Sequence, residues 1–94
     1  MADMNKLNIR VSRATSKWLK SQPDYIVEYA GEVLTTLVNR GELNWDDVSC
    51  MSPESLVFYC MDFAGVESME QLNKRADHFC WCNGFIGYKL QSRF

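Results

Sequence analysis

The side chains best suited to chemistry cluster near the C-terminal end, where His78, Cys80 and Cys82 occupy alternate positions. With Cys60 or Cys50 as a fourth ligand, they would match the donor types that zinc prefers. On a helix, however, His78 and Cys82 share a face, whereas Cys80 points about 200° away from His78. Structural zinc sites usually place paired ligands roughly two to four residues apart on a turn. We therefore expect no metal site, and small, buried, reduced thiols instead.

Catalysis by a nucleophile would require His78, the single histidine, to lie beside an activated serine or cysteine and an orienting acid. The sequence around Cys80 and Cys82 matches no strained-turn signature, and the chain has no Gly-rich motif that could hold a phosphate. Asp46 and Asp47 would point in different directions on a helix, so they suit a helix N-terminus better than a carboxylate pair. The sequence thus predicts a protein that is not an enzyme and holds no cofactor.

Charge is sorted by position along the chain. The first 20 residues carry five basic side chains against Asp3, and the last 24 residues are basic again. Residues 21–70 carry ten acids against Arg40 alone, namely Asp24, Glu28, Glu32, Glu42, Asp46, Asp47, Glu54, Asp62, Glu67 and Glu70. A formal net charge of -2 therefore conceals an acidic middle between basic ends. Such asymmetry bears on partners and association rates rather than on the fold.

The length of 94 residues indicates a single domain, 1–94, that can bury a core without metal or disulfide staples. No apolar run approaches the roughly 20 residues that span a bilayer, and residues 1–8 lack the apolar stretch of a secretory signal. We therefore expect a cytoplasmic protein with reduced cysteines and no membrane partner. The aromatic residues are many for so small a core, so some are expected at a groove or interface unless all of them fill the core.

Capping signals and apolar spacing predict a mainly α-helical fold of about four helices. Long helices are expected at 22–39, 53–64 and 69–82, with a capped turn or short helix at 44–47. The 53–64 helix is so apolar that we expect it to pack centrally, with neighbours on most of its sides. Gly31 should permit a close helix crossing.

The two ends of the chain are ambiguous. Residues 7–11 alternate like a short strand, although the apolar spacing from 7 to 18 also fits a helix. Residues 85–90 alternate as well, and Asn83-Gly84 can either end a helix or close a hairpin. We prefer a helix followed by an extended tail, so that a short terminal β-strand or ribbon accompanies the helices.

Asp24, Glu28 and Glu32 recur at i, i+4 and i+8, which forms one acidic stripe along the 22–39 helix. Neighbouring like charges at this spacing cost about 0.2–0.5 kcal/mol per pair, so something must compensate them. In one interpretation, the basic side chains of residues 13–20 pair with the stripe. In the other, the stripe stays exposed and binds a basic partner.

The second interpretation gives a protein-binding surface, in which acids imitate a nucleic-acid backbone and aromatic side chains act as anchors. The expected partner is a basic protein that handles nucleic acid. The predicted contact residues are Asp24, Tyr25, Glu28, Tyr29, Glu32, Glu42, Trp45, Asp46 and Asp47. In size, acidity and lack of catalytic motifs, the chain resembles the small inhibitors that bacteriophages encode against host machinery, including anti-CRISPR proteins. This compositional resemblance implies a stoichiometric inhibitor in the host cytoplasm.

Two alternatives stay open. One is direct binding of nucleic acid by the basic N-terminal segment, through Arg10, Arg13, Lys17 and Lys20. A helix-turn-helix is not expected in that case, because the element after the 22–39 helix begins with acids that the phosphates would repel. The other alternative is a self-associating regulatory subunit, such as a homodimer, which buries the surplus aromatic side chains between copies.

Overall fold

The structure, a computed structural model, describes residues 8–92 of the chain. Within that range, five helices and two short strands follow one another as β1 (Asn8–Val11), α1 (Arg13–Lys20), α2 (Asp24–Asn39), α3 (Trp45–Ser49), α4 (Pro53–Ala64), α5 (Met69–Asn83) and β2 (Lys89–Ser92). Four of the five helices have at least seven residues. The mainly α-helical class expected from the sequence is confirmed, with one small sheet beside the helices.

Side-chain caps fix the starts of most helices. In each case the side-chain oxygen of the capping residue accepts a hydrogen bond from the backbone N–H three residues later, which satisfies one unpaired donor of the first turn. The capping residues of α1, α3, α4 and α5 are Ser12, Asn44, Ser52 and Ser68. Gly65 adopts a left-handed conformation with φ 70° and ends α4, as a glycine at this position should.

Helix α2 forms the centre of the core. It packs against α4, α5 and β2. Its buried apolar side chains are Ile26, Tyr29, Ala30, Val33, Leu34 and Leu37. The 53–64 helix packs against the 22–39 and 69–82 helices, as expected. The expectation that it has neighbours on most of its sides is wrong, since in α4 only Leu56 and Cys60 are buried and Phe58 is 66% exposed. Helix α4 therefore covers one side of the core, and most of its other apolar side chains are only partly buried against it.

The two strands join the beginning and the end of the described chain. β1 and β2 run parallel, with Ile9 opposite Leu90, and both of these side chains are buried. Parallel strands require a crossover connection, and here all five helices lie within it. The strand interpretation of the first segment is confirmed for residues 8–11, whereas residue 7 lies outside the described residues. The hairpin alternative at Asn83-Gly84 is not adopted, because α5 continues to Asn83.

At Gly31, α2 is approached closely by the side chain of Tyr88 rather than by a neighbouring helix. A Cβ atom at this position would lie 2.6 Å from Cβ and 2.8 Å from Cδ2 of Tyr88, far inside van der Waals contact. The expected close approach at Gly31 is therefore present, but its partner is the segment that leads into β2. This segment packs the C-terminal part of the described chain against α2.

Candidate functional surfaces

The three acids of the expected stripe occupy three different environments. Asp24 is exposed, Glu32 is half-buried, and Glu28 is only 4% exposed. Oε1 of Glu28 accepts a hydrogen bond from the backbone N–H of Gly87 at 2.6 Å. The Tyr88 hydroxyl donates to Oε2 of Glu32 at 3.2 Å. The expectation of a continuous solvent-facing stripe is therefore wrong at Glu28.

The C-terminal segment compensates these like charges in part, since Gly87 pairs one oxygen of Glu28, whereas Oε2 of Glu28 is buried without a hydrogen-bond partner in the described range. Hydrogen bonds to a charged acceptor are worth about 1.5–3 kcal/mol, more than the like-charge cost along the helix. Gly87 has φ 99°, a backbone conformation that favours glycine, at the residue whose N–H reaches Glu28. Within residues 8–92, no basic side chain forms an ion pair with Asp24, Glu28 or Glu32, so pairing with residues 13–20 is not observed.

The tyrosines expected to anchor a partner also differ in position. Tyr29 is buried, and its ring packs edge-on against Phe79 and Phe63, at centroid distances of 5.4 and 6.5 Å. Burial raises the pKa of the Tyr29 hydroxyl, and the neighbouring Arg75 guanidinium partly offsets that rise. Tyr25 is half-buried. Tyr29 is thus a core residue, and its expected role in partner contact is wrong.

The remaining expected acids stay together at the surface. Glu42, Trp45, Asp46 and Asp47 are all exposed, and we call these four residues the acidic surface. Asn44 caps α3 by accepting a hydrogen bond from the Asp47 backbone N–H at 2.9 Å, which fixes the turn that presents them. Glu42 lies 3.9 Å from Arg40 in a well-exposed pair, which is worth little in water. Asp46 and Asp47 form no ion pair within the part of the chain that the structure describes.

Trp45 is the aromatic member of the acidic surface and is 40% exposed. One side of it borders an open cavity of about 250 Å³, which Asn8, Ile9 and Arg10 from β1 also line. The next two residues of α3, Asp46 and Asp47, are acidic. An exposed indole beside unpaired carboxylates resembles the aromatic anchors and charged rims of protein interfaces.

The basic residues of the N-terminal segment form a separate surface. The four side chains are all exposed, and we call Arg10, Arg13, Lys17 and Lys20 the basic face. The last three are spaced at i, i+4 and i+7, which places them on one side of α1. No ion pair involves any of the four among residues 8–92. Arg10 also lines the cavity that Trp45 borders, so the basic face adjoins the acidic surface at this point without forming an ion pair in the described range.

Sequence reasoning missed a third surface, at the C-terminal end of α5. Trp81 is 84% exposed, Phe85 is 63% exposed, and Ile86 is exposed as well. We call these three residues the apolar end. Leu72, Ala76 and Cys80 are spaced along the buried side of α5. Helical geometry places Trp81 on a different side of the helix, so this spacing could have predicted that Trp81 is exposed.

The cysteines fall into two classes. Cys60 and Cys80 are buried and Cys50 and Cys82 are exposed, so the expectation of buried thiols holds for only one class. Burial raises the pKa of the Cys60 thiol to about 12. Burial also raises the pKa of Cys80, helped by the negative charges of Glu28 and Asp77. In the described range, no three side chains of the metal-binding types come together as a metal site.

Comparison of the chain with protein-family models, curated proteins and solved structures finds no match. Among residues 8–92, no helix has the length and apolar character that crossing a bilayer requires.

Proposed function

We propose that this chain is a non-catalytic binding protein whose acidic surface engages a basic partner protein. The observation that supports the proposal most is Trp45, an exposed indole followed directly by two acids that form no ion pair among residues 8–92. Unpaired carboxylates attract a basic partner over a distance and speed association, whereas a large aromatic ring supplies apolar contact area once the partner has docked. In this proposal Glu28, Tyr29 and Glu32 have structural roles and do not contact the partner protein.

The kind of partner follows from the charge. Closely spaced carboxylates present the same sign of charge as a phosphate backbone, so the surface suits a protein that normally binds nucleic acid. Occupation of that protein's binding channel would inhibit it in a stoichiometric manner. The inhibitor role, of the kind that bacteriophages encode, is part of the proposal and draws on the size and acidity of the chain.

The experiment that tests this proposal compares two variants with the same change in net charge. Asp46→Asn with Asp47→Asn neutralises the acidic surface, and Glu67→Gln with Asp77→Asn neutralises two other exposed acids. Each tagged protein is used to capture partners from a nuclease-treated lysate. We expect a basic protein to bind the wild type and the control variant and to be lost with the first variant. Equal capture by all three proteins would contradict the proposal.

Direct binding of nucleic acid is a second candidate, and the basic face favours it. Three of its side chains share one side of α1, where they could follow a phosphate backbone. A salt titration against labelled DNA and RNA separates this candidate from the first, because phosphate binding must weaken steeply as salt rises. Substitution of Lys17 and Lys20 by Gln should then weaken binding to DNA or RNA by the same factor for every nucleotide sequence.

Self-association is a third candidate, and the apolar end favours it. Trp81 is 84% exposed and Phe85 is 63% exposed, and exposed apolar side chains that lie together often mark an interaction site. Light scattering across a range of concentrations distinguishes a dimer from a monomeric binding protein. Trp81→Ser should shift a dimer towards the monomer and leave a monomer unchanged.

A further inference from the structure

We propose that Cys82 is a modification site, at which a small anionic disulfide forms a mixed disulfide with the help of His78 and Arg75. This inference is independent of partner binding. Sγ of Cys82 lies 3.4 Å from Nε2 of His78, and both side chains are exposed. An imidazole at this distance can take the thiol proton as the sulfur attacks, which is the activation that a cysteine nucleophile needs.

The helix aligns the three side chains that the proposal uses. Arg75, His78 and Cys82 are spaced by three and four residues along α5, so they form one row on the same side of the helix. The shared face of His78 and Cys82 that the sequence predicted is confirmed by their contact. The row contains a cation, a base and a nucleophile in that order.

The row borders a cavity of about 350 Å³ between α5, α2 and α4. Arg75, His78 and Cys82 line one wall, and the opposite walls contain Tyr29, Glu32 and Phe63. Glu32 is the only carboxylate among these lining residues, and its two oxygens accept hydrogen bonds from Thr36 and Tyr88. The Arg75 guanidinium is therefore the charged group best placed to attract a carboxylate of the incoming disulfide.

The other three cysteines lack this arrangement. Cys60 and Cys80 are buried, and burial raises the pKa of both thiols, which keeps them protonated and unreactive. Cys50 is exposed like Cys82, but its Sγ lies 3.8 Å from the Ser49 hydroxyl rather than beside an imidazole. Cys50 thus provides a matched internal control for exposure without a base.

The reaction is a thiol–disulfide exchange. The thiol proton of Cys82 passes to Nε2 of His78 while Sγ attacks one sulfur of the disulfide, whose S–S bond breaks. One half of the reagent stays bound to Cys82, and the other half leaves as a thiolate that takes up a proton. The disulfide is the oxidant, since one of its sulfurs ends as a thiol while Cys82 becomes part of the new disulfide.

The test uses the full chain with oxidised glutathione as the probe and intact mass spectrometry as the readout. Cys50→Ser leaves Cys82 as the exposed thiol, and Cys82→Ser leaves Cys50. An unassisted cysteine is only a few per cent thiolate at pH 7, so assistance by a base can raise the rate by about tenfold. We therefore expect the Cys50→Ser protein to react about tenfold faster than the Cys82→Ser protein.

Two further variants, made in the Cys50→Ser background, test the helping residues. His78→Gln should reduce the rate to that of the Cys82→Ser protein. Arg75→Gln should slow the reaction with oxidised glutathione and leave the reaction with neutral hydroxyethyl disulfide unchanged. All the substituted side chains are exposed, and circular dichroism verifies that each variant is folded.

Three outcomes would overturn the proposal. The first is equal rates for the two single-cysteine variants, which would remove any advantage of Cys82. The second is an unchanged rate in His78→Gln, which would exclude assistance by the imidazole. The third is an equal effect of Arg75→Gln on both disulfides, or none on either, which would exclude selection of an anionic reagent.

Discussion

Substitution of Gly31 by Ala probes the contact that joins the C-terminal segment to α2. The added methyl group would overlap the Cβ atom of Tyr88, which lies 2.6 Å from the new position. Rotation of the tyrosine ring cannot relieve this overlap, because Cβ is attached directly to the backbone. Either α2 or the segment before β2 must therefore move.

The expected cost follows from two opposing effects. Alanine in place of glycine within a helix stabilises it by about 1 kcal/mol. Overpacking costs about 1–3 kcal/mol, and a shift of the segment also weakens the hydrogen bond from Gly87 to Glu28, which is worth about 1.5–3 kcal/mol. With a combined penalty near 3 kcal/mol, the variant should be about 2 kcal/mol less stable than the wild type. That corresponds to a fall in Tm of about 8–16 °C for a domain of this size.

The assay is urea unfolding of Gly31→Ala in two backgrounds, the wild type and Tyr88→Gly. Tyr88→Gly removes the side chain that the methyl group would strike, so only the helix-propensity effect should remain. We expect Gly31→Ala to destabilise the wild type and to stabilise the Tyr88→Gly protein by about 1 kcal/mol. A penalty of the same size in both backgrounds, or no penalty in the wild type, would refute the reasoning.

Three more predictions concern stability. Glu28→Lys should destabilise the protein by at least about 2 kcal/mol, because it loses the hydrogen bond to Gly87 and buries a cation. Asp24→Lys should change stability little, because Asp24 is exposed. Urea unfolding of both variants measures the difference. Leu34→Ala should cost about 2–5 kcal/mol and Phe58→Ala less than about 0.5 kcal/mol, since Leu34 is fully buried and Phe58 is exposed; a larger effect at Phe58 would contradict the surface position of α4. The pKa of the Cys60 thiol rises from 9.0 to about 12 on folding, so the unfolded state releases its proton first and native stability falls as pH rises through that interval. Between pH 9 and pH 10 the wild type should lose about 1 kcal/mol more than Cys60→Ala, and equal losses would be contrary to this linkage.

The helices could be predicted from the sequence because their signals are local. Ser52 with Pro53 and Ser68 with Glu70 mark the starts of α4 and α5 within a single turn, and the structure begins both helices there. Gly65 likewise ends α4 at the expected position. Such caps depend on neighbours in the chain, so no knowledge of tertiary contacts is needed to read them.

The burial of Glu28 could not be predicted in this way. Its hydrogen-bond donor is a backbone N–H 59 residues away in sequence, and any residue except proline carries such a donor. The pairing of β1 with β2 has the same character, since it joins the two ends of the described chain. Long-range contacts of this kind decide which acids of α2 reach solvent, and therefore which of the expected contact residues stay exposed.

The position of α4 illustrates a different difficulty. Composition alone suggested a central helix, but the apolar residues of α4 are distributed around it rather than along one side. Only the neighbours in space determine which of them are covered. Phe58 and the residues of the apolar end are consequently exposed although their types favour burial.

The acidic surface is tested most directly by titration of a fixed arginine-rich peptide into three proteins by calorimetry at low salt. The proteins are the wild type, the Asp46→Asn and Asp47→Asn double variant, and the Glu67→Gln and Asp77→Asn control with the same net charge. We predict that the wild type and the control bind alike, and that the double variant binds about tenfold more weakly. An equal loss in both variants would show a response to net charge alone. That result, or a wild type that does not bind the peptide at all, would contradict a localised acidic surface.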